Sequence, residues 1–182
     1  MNSLKMSIDE INQQMKFNSN KLWNNVFGTN CYAYVLGIDI SENDIIKGAF
    51  QPGTIGSVVY NILDDDLDKM SLEERMNLDF DALNISYSEC SESEVSSFYM
   101  ENGFIVFQWI VALFIWEGFD FHFMKKAWNN VWWHKKSYDG TYPTNQDDIY
   151  NKIYSPQECF LWDYKYVKCL KLSYREKRNT IF

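Results

Sequence analysis

The stretch Gly103-Phe104-Ile105-Val106-Phe107-Gln108-Trp109-Ile110-Val111-Ala112-Leu113-Phe114-Ile115-Trp116, continued by Glu117-Gly118-Phe119 and Asp120-Phe121-His122-Phe123-Met124-Lys125, decides the fold class. Its first part is apolar apart from Gln108 and rich in β-branched and aromatic residues, the composition of one or two buried strands. It is shorter than the roughly 20 apolar residues a bilayer-spanning helix needs. Glu117-Gly118 and Trp128-Asn129-Asn130 are turn signals, so Phe119 to Lys125 and Val131 to Lys135 are expected to return as further strands of an antiparallel meander. Phe160 to Ser173 alternates enough for a final strand, followed by a basic tail.

Outward from this sheet the N-terminal half reads as helical. Leu4, Ile8, Ile11 and Met15 recur at three- and four-residue steps, which predicts an amphipathic helix. Thr29 or Asn30 is a good N-cap and Gly37 a good stop, so a short helix is expected between them with Cys31 in its first turn. Gln51 to Gly56 reads as a turn, and Ser57 to Ile62 as the start of a strand or helix. Ser71 and Glu74 have the spacing of a capping box. Tyr138 to Asn145 reads as a loop and Asp147 to Ile153 as a short helix. Helices first and sheet later is an α+β pattern. The expected organisation is one domain over residues 1–182, with an N-terminal helix and linker at 1–28 and an acidic helical insertion at 61–101.

At 182 residues, 46% hydrophobic and 23% charged, the chain has the balance of a globular domain. Aromatic residues reach 18%, whereas there are only two histidines. Any imidazole chemistry must therefore use His122 or His134. The net charge of −8 argues against general nucleic-acid binding. The charge is uneven: residues 61–101 are acidic, and the segment from Lys125 onward carries most of the Lys and Arg. Cys31, Cys90, Cys159 and Cys169 form no C-x-x-C pair, which points to free thiols rather than a disulfide framework. Residues 1–16 lack a continuous apolar run, so no secretory leader and no membrane insertion are expected. The expected setting is cytoplasmic, or delivered into a host cell.

Cys31 is the most informative position. A thiol at a helix start feels the positive end of the helix dipole, which favours the nucleophilic thiolate. The competing reading is a buried small hydrophobe. Alternation places Asp120, His122 and Met124 on one strand face and Phe121 and Phe123 on the other. A metal site built from His122, His134 and a cysteine matches no known ligand spacing, and no cofactor is expected.

The pieces Asn30-Cys31-Tyr32, Gln51-Pro52-Gly53, Asp120-Phe121-His122, Trp132-Trp133-His134-Lys135 and Thr144-Asn145 occur in an order that resembles the NlpC-type and CHAP-type cysteine hydrolases, a branch of the papain-like fold. The order is similar, more closely, to a group of uncharacterised bacterial proteins related to them. The resemblance touches residues 28–60 and 103–146. It implies N-terminal helices packed on a mostly antiparallel sheet, and a thiol peptidase, amidase or acyltransferase acting on a peptide or protein. In those families the base histidine starts the strand that here begins near Trp109-Ile110, and this chain has none there. Either His134 is the base with Asn145 as its orienting residue, or His122 is the base with His134 or Asp120 orienting it. The empty position also motivates an alternative: a catalytically inactive papain-like module, of bacterial or viral origin, that grips a partner protein.

Overall fold

The computed structural model describes residues 7, 9–11, 30–38, 50–136 and 142–177. The chain divides into two compact units, Met1–Asn84 with Lys135–Pro143, and Ile85–His134 with Thr144–Phe182. Among the described residues the class is α+β, with few helices and a sheet whose pairings are antiparallel. Most of the expected helix over Leu4 to Met15, the cap candidate Thr29, part of the Tyr138 to Asn145 loop and the end of the basic tail lie outside the described residues.

Among the described residues the first unit includes the short helices α1 (Cys31–Leu36), α2 (Thr54–Val59), α3 (Asp64–Leu67) and α4 (Leu72–Ala82). The Asn30 side chain caps α1 by accepting from the Ala33 amide, and Gly37 ends it in the left-handed conformation at φ 74°. Ser71 and Glu74 form the expected capping box on α4. Of Ser57 to Ile62, which reads as the start of a strand or helix, Ser57, Val58 and Val59 end α2, and Tyr60 and Asn61 turn away from it. Gly56 lets α2 pack close to α4: a Cβ added there would lie 2.6 Å from the Leu78 carbonyl carbon.

A buried carboxylate ties these helices together. Asp79 on α4 accepts from the Gly53 amide at 2.7 Å, the Gly56 amide at 2.8 Å and the Tyr32 hydroxyl at 3.0 Å. It thereby joins α1, the Pro52-Gly53 turn and α2. Burial pushes its pKa up to about 6, against these donors, which pull it down.

Among the described residues the second unit forms a six-stranded sheet. Its strands are β1 (Ile85–Cys90), β2 (Ser97–Glu101), β3 (Phe104–Trp116), β4 (Asp120–Lys126), β5 (Trp132–His134) and β6 (Lys165–Lys177). The order is β1-β6-β3-β4-β5, with β2 paired to β3. The stretch 103–116 is one long strand, and β3, β4 and β5 form the expected meander. The acidic segment 61–101 is helical only to Ala82. From Ile85 onward it supplies β1 and β2, because Ile85, Tyr87 and then Phe98, Tyr99 and Met100 bring strand-forming residues whose length is too short for helices.

One face of the sheet carries Ile110, Ala112, Phe114, Met124, Trp132 and Cys169. Ile153 and Leu161, from the segment between β5 and β6, pack on them. Asp147 to Ile153 is a turn rather than the expected helix. The Asp147 carboxylate takes the amides of Ile149, Asn151 and Phe160, at 3.1, 2.8 and 3.2 Å, and so offers the backbone a stronger alternative to helical bonding.

Candidate functional site

The sheet register brings the two histidines together. Met124 on β4 pairs with His134 on β5, and His122 lies two residues back along β4 on the same face. Such diagonal neighbours on antiparallel strands are within reach of long or aromatic side chains. Here the rings meet edge to face with centroids 4.9 Å apart. His122 Nε2 lies 2.7 Å from His134 Nδ1. On the far side of its ring, His134 Nε2 lies 3.0 Å from the carbonyl oxygen of Gln146. His134 is fully buried and His122 nearly so.

The carbonyl fixes the direction of this chain. A carbonyl oxygen only accepts, so His134 Nε2 carries the proton. In neutral His134, Nδ1 is then the lone-pair nitrogen and accepts from His122 Nε2–H. By the same rule neutral His122 holds its lone pair on Nδ1. The two Nε2–H donors, His122 to His134 and His134 to the Gln146 carbonyl, thus point the same way along the pair.

The surroundings hold this geometry. His134 and Thr144 exchange both backbone hydrogen bonds, at 2.9 and 2.8 Å, which sets Gln146 two residues further along. The Gln146 amide donates to Thr144 Oγ1 at 3.1 Å. The Asn145 carbonyl accepts from the Ile153 amide at 2.9 Å. The Tyr164 ring packs 5.6 Å from the His122 ring. Its hydroxyl donates to Asp120 Oδ2 at 2.7 Å, and Asp120 Oδ1 accepts from the Phe121 amide at 2.8 Å.

The structure thus joins His122 and His134, which the sequence treated as rivals. Of the two orienting groups considered for His122, it brings His134 to the ring and sets Asp120 on Tyr164. The acceptor on His134 Nε2 is the backbone of Gln146, next to Asn145. Gln146 and Tyr164 were not singled out in the sequence. A main-chain carbonyl leaves no signature in residue identity, and Tyr164 is one of many aromatic residues in this chain.

Cys31 belongs to the first unit. It is the first residue of α1, is buried, and forms no disulfide. Asn30 before it also donates from Nδ2 to the Phe50 carbonyl at 2.5 Å, so the helix start is fixed from both ends of the Asn30 amide. The other thiols sit in the second unit. Burial pushes Cys90 up to about 11 and Cys159 up to about 12, and it raises Cys169 too. Those three are poor nucleophiles near neutral pH.

Among the described residues no group of three or more His, Cys, Asp and Glu side chains is placed to hold a metal ion. No described helix is long and apolar enough to cross a membrane. Comparison of the chain with family models, with curated proteins and with solved structures gives no match.

Proposed function

We propose that this chain is a thiol hydrolase or acyltransferase of papain-like type, acting on an amide, peptide or ester bond of a peptide or protein. Cys31 is the nucleophile, His122 the base, and His134 the positioning residue for His122. The observation that carries the reading is the directional chain from the Gln146 carbonyl through His134 to His122. It orients the His122 imidazole and backs it with a second imidazole, as a general base requires. The helix-start position of Cys31, and the raised pKa values of the thiols of the second unit, support the choice of nucleophile.

The chemistry balances with these groups alone. The reaction this reading requires moves the Cys31 thiol proton to the imidazole base as the thiolate forms a bond to the substrate carbonyl carbon. Collapse of the tetrahedral adduct breaks the bond to the leaving amine or alcohol, which takes that proton back from the base. Water, or a second acceptor, then releases the acyl group from sulfur by the reverse proton path. The orienting role first given to Asn145 passes in this account to the Gln146 carbonyl, with Asn145 holding the loop through its own carbonyl.

The test is acyl-enzyme formation. With an activated ester such as p-nitrophenyl acetate, mass spectrometry should find the acetyl group on Cys31, and Cys31→Ala should abolish it. Acetylation that is unchanged in Cys31→Ala would refute the assignment.

The second reading, a non-catalytic binding module, draws on the exposed aromatic residues Phe119, Trp128 and Trp162. Large exposed aromatics are favoured at protein interfaces. A chain that stays unacylated while retaining its fold would favour that reading.

A further inference from the structure

The outer edge of β2 is an exposed apolar strand edge. β6 pairs along the length of β3 on one side, and β4 takes the C-terminal half of the other side. β2 takes the N-terminal half, pairing Ser97 to Glu101 with Gln108 to Phe104. Beyond β2 no further strand is paired among the described residues. The edge carries no Lys and no Pro, the devices that usually protect such strands. Phe98 is 62% exposed and Met100 55% exposed.

The turn sets which backbone groups face outward. β2 and β3 are joined by Asn102 and Gly103, both at positive φ, 49° and 80°. This is a two-residue hairpin of the primed type. Such a hairpin closes on a hydrogen-bonded pair, here Glu101 with Phe104. Alternation then turns the backbone of Ser97, Tyr99 and Glu101 toward β3 and leaves the N–H and C=O groups of Phe98 and Met100 at the open edge. Their side chains share the sheet face of Phe107, on which Phe98 packs edge to face at 5.0 Å.

We infer that this edge pairs with the β2 edge of a second copy of this chain, antiparallel about a two-fold axis at Tyr99. The strand is self-complementary in that register. Phe98 falls opposite Met100 of the other copy, and both have outward backbone groups, so the two meetings exchange four hydrogen bonds. Ser97 falls opposite Glu101, a hydroxyl opposite a carboxylate. Glu101 is the strand's one charge and is already paired with Arg175 at 3.0 Å, so no like charges are forced together. A symmetric, isologous contact of this kind closes at two copies.

Sedimentation velocity over a range of concentrations tests the proposal. The native chain should show a reversible monomer–dimer equilibrium. Phe98→Lys with Met100→Lys should remain monomeric while keeping the native circular dichroism spectrum, because both positions are exposed. Phe98→Glu with Met100→Glu should do the same alone, and an equimolar mixture of the two double variants should recover the dimer, since each Lys then faces a Glu. A native chain that is monomeric throughout would overturn the inference. So would a dimer that survives the Lys variants, or a mixture that fails to associate.

Discussion

His122 Nε2 and His134 Nδ1 stand 2.7 Å apart on one face of an antiparallel sheet, and the Gln146 carbonyl behind them decides which nitrogen carries which proton. Two imidazoles in contact are usually ambiguous, because either ring can donate. A carbonyl acceptor at one end removes the ambiguity and gives the pair a direction.

In a chain labelled with 15N at histidine, long-range proton–nitrogen correlation spectra at neutral pH should show both rings as the Nε2–H tautomer. The Nε2 proton of His122 should be shifted well downfield by its short hydrogen bond. A dominant Nδ1–H tautomer at His134 would contradict the chain as drawn. His134→Gln should change the His122 pattern, since the acceptor on its Nε2 is replaced.

Asp147 should be a structural prop for the pair. Its carboxylate binds three amides of the segment that starts beside Gln146. Asp147→Ala removes the acceptor of three part-buried hydrogen bonds, at a cost on the order of 1–3 kcal/mol in all. The expected result is a lower unfolding midpoint together with faster amide exchange over residues 146–153 and a broadened His134 signal. Stability loss with the His134 signal unchanged would separate the turn from the site.

Asp79 gives an expectation with a sign. Its folded pKa, about 6, is raised above the usual carboxylate value of 3.8 by burial. The folded state therefore holds more protons than the unfolded state between those values. Its contribution to stability is fully present below about pH 4 and is lost as pH rises through about 6. The full swing is on the order of 3 kcal/mol. The difference in unfolding free energy between the native chain and Asp79→Asn, which does not titrate, should fall as pH rises through this window. A difference that grows with pH would mean that the Gly53, Gly56 and Tyr32 donors outweigh burial.

Gly56→Ala tests the close packing of α2 on α4. The new methyl would sit 2.6 Å from the Leu78 carbonyl carbon and 2.7 Å from its oxygen, so a helix must move. Overpacking against backbone costs typically about 1–3 kcal/mol. Chemical denaturation should show a loss of that order, and a change within experimental scatter would show that the helices can separate freely.

Much of this architecture was legible because the signals were local. The apolar run 104–116, the Glu117-Gly118 turn and the alternation around His122 each specify a strand through their own residues. Asn30, Gly37, Ser71 and Glu74 mark helix ends through hydrogen bonds within three or four positions. The misreadings came from competition that the local pattern does not show. Asp147 resembles a helix start until its carboxylate finds Phe160, thirteen residues on. β1 sits in an acidic stretch and is fixed as a strand by register with β6, far along the chain. At the site, the residue types His122 and His134 were visible. Their contact depends on a diagonal register across β4 and β5, and the orienting acceptor is a backbone group with no side-chain identity.

The most direct measurement of the central claim is the rate of alkylation of each cysteine by iodoacetamide at pH 7, read by peptide mass spectrometry. Cys90 and Cys159, pushed up to about 11 and about 12, should react slowly, with about one thiol in ten thousand or fewer ionised. Cys31 should react fastest, and His122→Ala should slow it by about a hundredfold, the lower end of what a general base supplies. His134→Gln should slow it less. A Cys31 rate unchanged by His122→Ala, or labelling that favours Cys90 over Cys31, would contradict the account.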